Sequence, residues 1–274
     1  MNRSEILREI GITPVWRERD APEHAAPVAV LEAKSVVGTS PKPLVQASRG
    51  GSTPETRIQS GSPPGVPDRA ERSAHIARMD WPELRAAVAG CQACSLCNGR
   101  TNTVFGAGEE KARWMIIGEA PGQEEDRLGE PFAGQAGKLL DSMLAALDLQ
   151  RSVNVYIANV LKCRPPGNRD PQPAEVAACA PHLERQIGLL KPQLIILMGR
   201  FAAQTILQTD GSIASLRGRV FTHRNTPVIV TYHPAYLLRS LTEKAKSWDD
   251  LLLARRTFVQ AGAAQAGAAP AAPA

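Results

Sequence analysis

Apolar positions follow two regimes along this chain. From about Asp80 onward, short continuous apolar runs alternate with stretches in which apolar residues recur every three or four positions. RWMIIGE (113–119), VNVYIAN (153–159), QLIILMG (193–199) and TPVIVTY (226–232) read as strands, too evenly apolar to keep one face in water. QAGKLLDSMLAALDL (135–149), PAEVAACAPHLERQIGLLK (173–191), residues 200–208 and a stretch from about Leu241 carry the helical period. Asp80 as N-cap and Pro82 in the first turn predict a further helix running into Cys91. Strands alternating with helices predict an α/β fold, a central four-stranded parallel sheet covered on both faces.

Residues 1–80 are of different material. From about Ala21 to Arg78 the chain is rich in Pro, Ala, Ser and Gly and has little periodicity. It cannot bury enough apolar surface to offset chain entropy, so a largely disordered extension is expected. Near residues 4–20, SEILREIGI could form a short amphipathic helix capped by Ser4, with Ile6, Leu7 and Ile10 on one side. It reads either as a docking peptide for a partner protein or as a helix that packs on the domain. The folded domain is expected over 81–262, with 263–274 as a low-complexity Ala/Pro tail.

No apolar run reaches the roughly 18–20 residues of a membrane helix, and MNRSEILREIGI lacks the apolar core of a secretory signal. A cytoplasmic monomer without membrane attachment is expected. The net charge of +5 favours an anionic partner such as nucleic acid, weakly. Five cysteines in a reducing compartment point to metal ligation or to inert buried thiols rather than disulfides. Cys91, Cys94, Cys163 and Cys179 could hold zinc or a [4Fe–4S] cluster, and spacing alone does not separate the two. Cys97 extends the first pair to CxxCxxC, a triplet similar to ferredoxin ligation.

Open α/β sheets bind ligands at the carboxyl ends of their strands. The first strand runs into Glu119, the second ends at Asn159, the fourth at His233, and Gly199 after the third leaves room. Any one of these could be a cap or turn residue. Together they predict a crevice. The GEAPG turn (118–122) is neither a P-loop nor a dinucleotide fingerprint, but its backbone amides can face a carbonyl or anionic oxygen.

These segments form an ordered pattern. C-x2-C-x-L-x3-R-T-x2-V-x-G, GEAPGQEEDRLGEPFAGQAGKLLD, N-V-x-K-C-R-P-P-x-N-R and TYHPAYLLR together resemble the family 4 uracil-DNA glycosylases, the iron–sulfur branch of their superfamily, over about residues 82–260. The resemblance implies a three-layer α/β/α sandwich acting on uracil-containing DNA. It implies a [4Fe–4S] cluster on Cys91, Cys94, Cys163 and Cys179, with Cys97 outside the set though close enough to compete. It matches Glu119 to the acidic position of the first motif, Phe132 to the aromatic that stacks on uracil, Asn159 to the amide that reads the base edge and His233 to the second-motif histidine. Such an enzyme must extrude its base from the duplex. Ala120, in the GEAPG turn, would help bind it. Glu119, or second Glu125, would orient the water. Leu237 or Leu238 would fill the gap in the stack, or else pack in the core. No lysine in the motifs stands as an obvious amine nucleophile, so hydrolysis without strand cleavage is expected. The rival readings are a covalent uracil-DNA-binding relative, for which the loop after Asn159 lacks the histidine, and a non-enzymatic iron–sulfur protein that binds nucleic acid.

Overall fold

The structure, a computed structural model, describes residues 69–267. The expected N-terminal docking helix lies outside the described residues. The four apolar runs become β2 (Trp114–Gly118), β3 (Val155–Asn159), β4 (Leu194–Met198) and β6 (Thr226–Thr231), and they pair in parallel as expected. Two short antiparallel strands, β1 (Ala107–Gly108) on β3 and β5 (Val220–His223) on β6, extend the sheet to six. Both are edge strands, and β5 is partly exposed along its length, so neither shows the continuous apolar signature of a central strand.

Side chains alternate between two cores. Met115, Ile117, Ala158, Ile195 and Leu197 face one side, with Leu183 and Ile187 of α5 (Pro173–Leu190) and Ala203 of α6 (Arg200–Leu207). Trp114, Ile116, Ile157 and Ile196 face the other, with Leu140 and Leu144 of α4 (Gln135–Ala145) and Leu251 and Ala254 of α9 (Lys244–Gly267). This is the three-layer α/β/α arrangement. The sheet order β1-β3-β2-β4-β6-β5 places its switch point at β2: the chain moves outward to β3, then crosses back to β4 on the other side. A crevice opens at the carboxyl ends of strands around such a point.

Three smaller helices complete the frame: α3 (Gln123–Leu128), α7 (Ile213–Leu216) and α8 (Pro234–Arg239). Ahead of the sheet, α2 (Trp81–Ala89) starts at a capping box in which Asp80 accepts from Glu83 N and Glu83 accepts from Asp80 N, worth about 1 kcal/mol. A helix also forms before it, α1 (Arg69–Ile76), inside the stretch expected to lack order. Its sequence RAERSAHI buries only Ile76 among its apolar positions, so local pattern does not announce it. Tertiary contacts hold it: Arg72 donates to Ala178 O on α5 at 2.9 Å and approaches His182 Nε2 at 2.9 Å. At the other end, α9 continues to Gly267, past the expected start of the Ala/Pro tail, because an alanine-rich stretch has high helix propensity. Among the described residues no helix is long and apolar enough to cross a membrane.

Candidate active site

A crevice of about 860 Å³ opens at the switch point. Glu119, Ala120, Glu125, Phe132, Asn159 and His233, all expected to bind or act on substrate, line it. Its size is that of a small-ligand site.

The floor is set by close packing at β2 and β3. Gly118 pairs with Asn159 across the ladder. A methyl group on Gly118 would lie 2.5 Å from Asn159 Oδ1 and 2.7 Å from Phe132 Cζ, so only glycine leaves both side chains in place. Asn159 is buried, and among the described residues no group hydrogen-bonds its side-chain amide. Phe132 is buried with φ 53°, a backbone conformation that disfavours a bulky residue. Two features hold it. Gly137 permits the approach, since a Cβ there would sit 1.7 Å from Phe132 O. Arg151 donates to Pro131 O at 2.6 Å and to Phe132 O at 3.1 Å. The Phe132 ring lies against the His233 ring, centroids 5.3 Å apart and planes 23° from parallel.

The two carboxylates differ in environment. Glu125 is engaged with backbone: one oxygen accepts from Gly122 N at 3.0 Å, the other from Ala133 N at 2.9 Å and Gly134 N at 3.2 Å. It ties the GEAPG turn to the start of α4. Among the described residues Glu119 has no such donors, and burial first, then Asp170, push its carboxyl up to about 7, against the pull of Arg200. Arg200 and Asp170 pair at 3.2 Å beside it. Within the turn, Pro121 has no N–H and Gly122 N is taken by Glu125, which leaves the Ala120 N–H for a ligand.

His233 sits at the N-cap of α8, its Nδ1 accepting from Ala235 N at 3.2 Å. The ring proton is therefore on Nε2. Burial, with a smaller push from Arg239 and against Glu125, lowers its pKa to about 4, so the ring is neutral near pH 7. Gly199, at φ 92°, passes close to it: a Cβ there would come within 3.1 Å of His233 Cβ.

On α8 the two leucines part company. Leu237 is 1% exposed and belongs to the core, whereas Leu238 is 43% exposed. Tyr236, Arg239, Arg169 and Arg200 border the crevice, Arg169 paired with Glu175 and Arg200 with Asp170.

Cys91, Cys94, Cys163 and Cys179 line one cavity on the α5 side of the sheet, together with Cys97. Each of the first four sulfurs receives an N–H: Cys91 from Arg72 at 3.5 Å, Cys163 from Arg100 at 3.4 Å, Cys179 from Lys162 N at 3.3 Å and Cys94 from Leu96 N. Cys97 instead donates, to Asn98 Oδ1 at 3.4 Å. Burial pushes the Cys179 thiol up to about 12. Among the described residues no three His, Cys, Asp or Glu side chains converge on a single-ion position.

Gly118, Gly137, Arg151, the Arg200–Asp170 pair and Lys162 shape the site without being singled out by sequence reasoning. The glycines had a signal, since each interrupts an otherwise apolar or helical run. The rest act through contacts that only the fold creates. Lys162 in particular turns into the core and does not line the crevice.

The uracil DNA glycosylase superfamily model matches residues 105–252. A type-4 uracil-DNA glycosylase of Archaeoglobus fulgidus is 46% identical over 159 residues, 55% of this chain and 79% of that protein. One of Pyrobaculum aerophilum is 40% identical over 183 residues, 64% of this chain and 93% of its own, and one of Thermotoga maritima is 42% identical over 163 residues, 58% of this chain and 83% of its own.

Proposed function

The chain belongs to the uracil-DNA glycosylase superfamily, and on that premise we propose that it excises uracil in the crevice at the switch point of its sheet, with Asn159, Phe132, His233, Ala120 and Glu119 as its working residues. It is a monofunctional DNA glycosylase: it hydrolyses the N-glycosidic bond of uracil in DNA and leaves an abasic site.

The observation that carries the site assignment is Asn159, a buried side-chain amide with no protein partner among the described residues, opposite a glycine and beside an aromatic ring. Its amide faces the crevice rather than another protein group, which leaves both its donor and its acceptor for a ligand. Uracil engages both: its N3–H donates to Oδ1 and its O4 accepts from Nδ2, a pairing that the edge of cytosine opposes. The Phe132 ring supplies a flat apolar face for a base extruded from the stack.

Bond cleavage leaves negative charge on the departing base, concentrated near O2. The Nε2–H of neutral His233 and the Ala120 N–H are the donors available to it, held in place before the charge develops. Glu119 orients the attacking water and offsets positive charge on the sugar, as carboxylates do in glycoside hydrolysis. Its elevated pKa leaves it partly ionised near neutrality. Glu125, both oxygens engaged by backbone N–H groups, positions the turn instead. Leu238 is the wedge for the gap in the stack, because Leu237 is committed to the core. Arg239 at the mouth, outside any ion pair among the described residues, suits a DNA phosphate, whereas Arg200 and Arg169 are paired with Asp170 and Glu175.

The cysteine cavity fits a [4Fe–4S] cluster held by Cys91, Cys94, Cys163 and Cys179. All four sulfurs receive N–H groups, two of them from arginines, as an anionic cluster needs. His182 adds support: its Nε2 faces the Arg72 guanidinium and must accept, so the proton is on Nδ1, a buried atom without a protein partner among the described residues. Such a group serves as a cross-link between α2, the Asn159 loop and α5.

A uracil-containing oligonucleotide tests the reading. Wild type releases uracil without cutting the strand, and Asn159→Ala and His233→Ala each lose at least about 100-fold in single-turnover rate. Full activity in both variants would sink the site assignment.

A further inference from the structure

Lys162 is a lysine in the protein core. It is 2% exposed and stands between the cysteine cavity and the base crevice. Its Nζ donates to Asn159 O at 2.9 Å and to Gln186 Oε1 at 2.6 Å. Gln186, itself fully buried on α5, donates in turn to Tyr156 OH at 3.1 Å and to Phe105 O at 2.8 Å. The rest of Lys162 is pinned as well: its N–H donates to Cys179 Sγ and its carbonyl accepts from Val104 N at 2.8 Å.

Among the described residues no carboxylate pairs with this ammonium, and the ionisable groups that act on it, Cys179 and His182, belong to the cysteine cavity. A buried charge without a carboxylate is unfavourable, and an apolar side chain of the same length would fill the space with less strain on stability. Its hydrogen bonds show what the ammonium does instead. One goes to the main chain of the residue whose side chain meets the base. Asn159 is the last residue of β3, and beyond it backbone pairing to β2 is carried by Val160 N on Gly118 O and Leu161 N on Glu119 O. The Asn159 carbonyl points to the opposite side, toward α5, where Lys162 holds it.

We propose that Lys162 is a positioning residue for uracil recognition: with Gln186 as its anchor, it fixes the main chain at Asn159 so that the side-chain amide meets the base edge. This rests on the assignment of Asn159 as the base-reading residue. The lysine touches no substrate atom. It also joins the base-reading loop to the cysteine cavity through one residue, since its own backbone is bonded to Cys179 and its side chain to Asn159.

The test is a double-mutant cycle on the full-length protein. Single-turnover uracil release is measured for wild type, Lys162→Met, Asn159→Ala and the double variant, with iron content, visible absorbance and binding to abasic-site DNA on the same preparations. Lys162→Met is expected to lose about 10- to 100-fold in cleavage rate, as a misplacement on the ångström scale does. Iron content and abasic-site binding stay at wild-type levels. The double variant is expected to be no slower than Asn159→Ala alone, because the lysine acts only through that amide. Multiplicative losses in the double variant would overturn the proposal, as would a wild-type rate in Lys162→Met. If Lys162→Met fails to fold, Gln186→Leu, which leaves the ammonium one anchor short, is carried through the same cycle and is judged by the same outcomes. An active Asn159→Ala would instead defeat the underlying assignment, an outcome distinct from failure of the lysine alone.

Discussion

Gly118 and Asn159 lie opposite each other at the ends of β2 and β3, so close that a methyl group on the glycine would stand 2.5 Å from Asn159 Oδ1. The same methyl would meet Phe132 Cζ at 2.7 Å. Amide and ring, the two groups assigned to the base, thus share one absent side chain. Gly118→Ala is expected to leave a folded protein in which both are displaced, with a loss of about 100-fold in single-turnover uracil release. A rate within about twofold of wild type would mean that the base does not sit against this pair.

Phe132 depends on a second partner. Its positive φ is unfavourable by about 1–2 kcal/mol for a residue with a side chain, and Arg151 opposes relaxation by gripping the carbonyls of Pro131 and Phe132. Arg151→Met is expected to lower cleavage by about tenfold and Tm by roughly 4–8 °C. Asp141, which pairs with Arg151 from an exposed position, contributes little by comparison. Asp141→Asn therefore keeps nearly full activity, and a deficit equal to that of Arg151→Met would show that the ion pair, not the carbonyl grip, holds the ring.

Much of this site can be read in the sequence, for a definite reason. Glu119, Asn159 and His233 follow continuous apolar runs, and a parallel sheet brings the ends of its strands to one edge. Roles that depend on contacts between distant segments are invisible to periodicity. Arg72 reaches His182 across 110 residues, which is why the polar helix α1 looks like linker. Lys162 sits in an apolar stretch, yet nothing in the local pattern says that it turns inward to Gln186. Leu237 and Leu238 are adjacent and chemically identical, and only burial separates a core residue from a candidate wedge.

The pH dependence of rate and of stability carry different signatures. Water orientation needs ionised Glu119, so cleavage is expected to rise with pH through about 7 and level off above it. His233, already neutral above about 4, adds no limb in that range. For stability, the raised pKa of Glu119 means that the folded state binds its proton more tightly than the unfolded chain does, so this contribution is lost as pH climbs from about 4.5 through 7. His233 has the opposite sign: its depressed pKa gives a contribution present above about 6.5 and lost as pH falls toward 4. The two oppose each other between about pH 4.5 and 6.5. Glu119→Gln removes one of them, so its Tm should rise with pH over that interval more steeply than that of wild type and exceed it above pH 7. Parallel Tm profiles for the two proteins would contradict the elevated carboxyl.

Cys97 is separated from its four neighbours by the direction of its hydrogen bond. Cys91, Cys94, Cys163 and Cys179 accept N–H groups, as thiolates bound to iron do, while Cys97 donates to Asn98. A serine keeps that donation at Cys97 but is a poor iron ligand elsewhere. Cys97→Ser is therefore expected to retain wild-type iron, sulfide and visible absorbance. Cys179→Ser, placed on α5 where burial already disfavours a free thiolate, should lose most of the iron and, with the cross-link gone, unfold at lower temperature. Equal iron loss in both variants would place Cys97 among the ligands. Iron retained in both would point to exchange between Cys97 and Cys179 in the ligand set, which the double variant would reveal by losing the cluster outright.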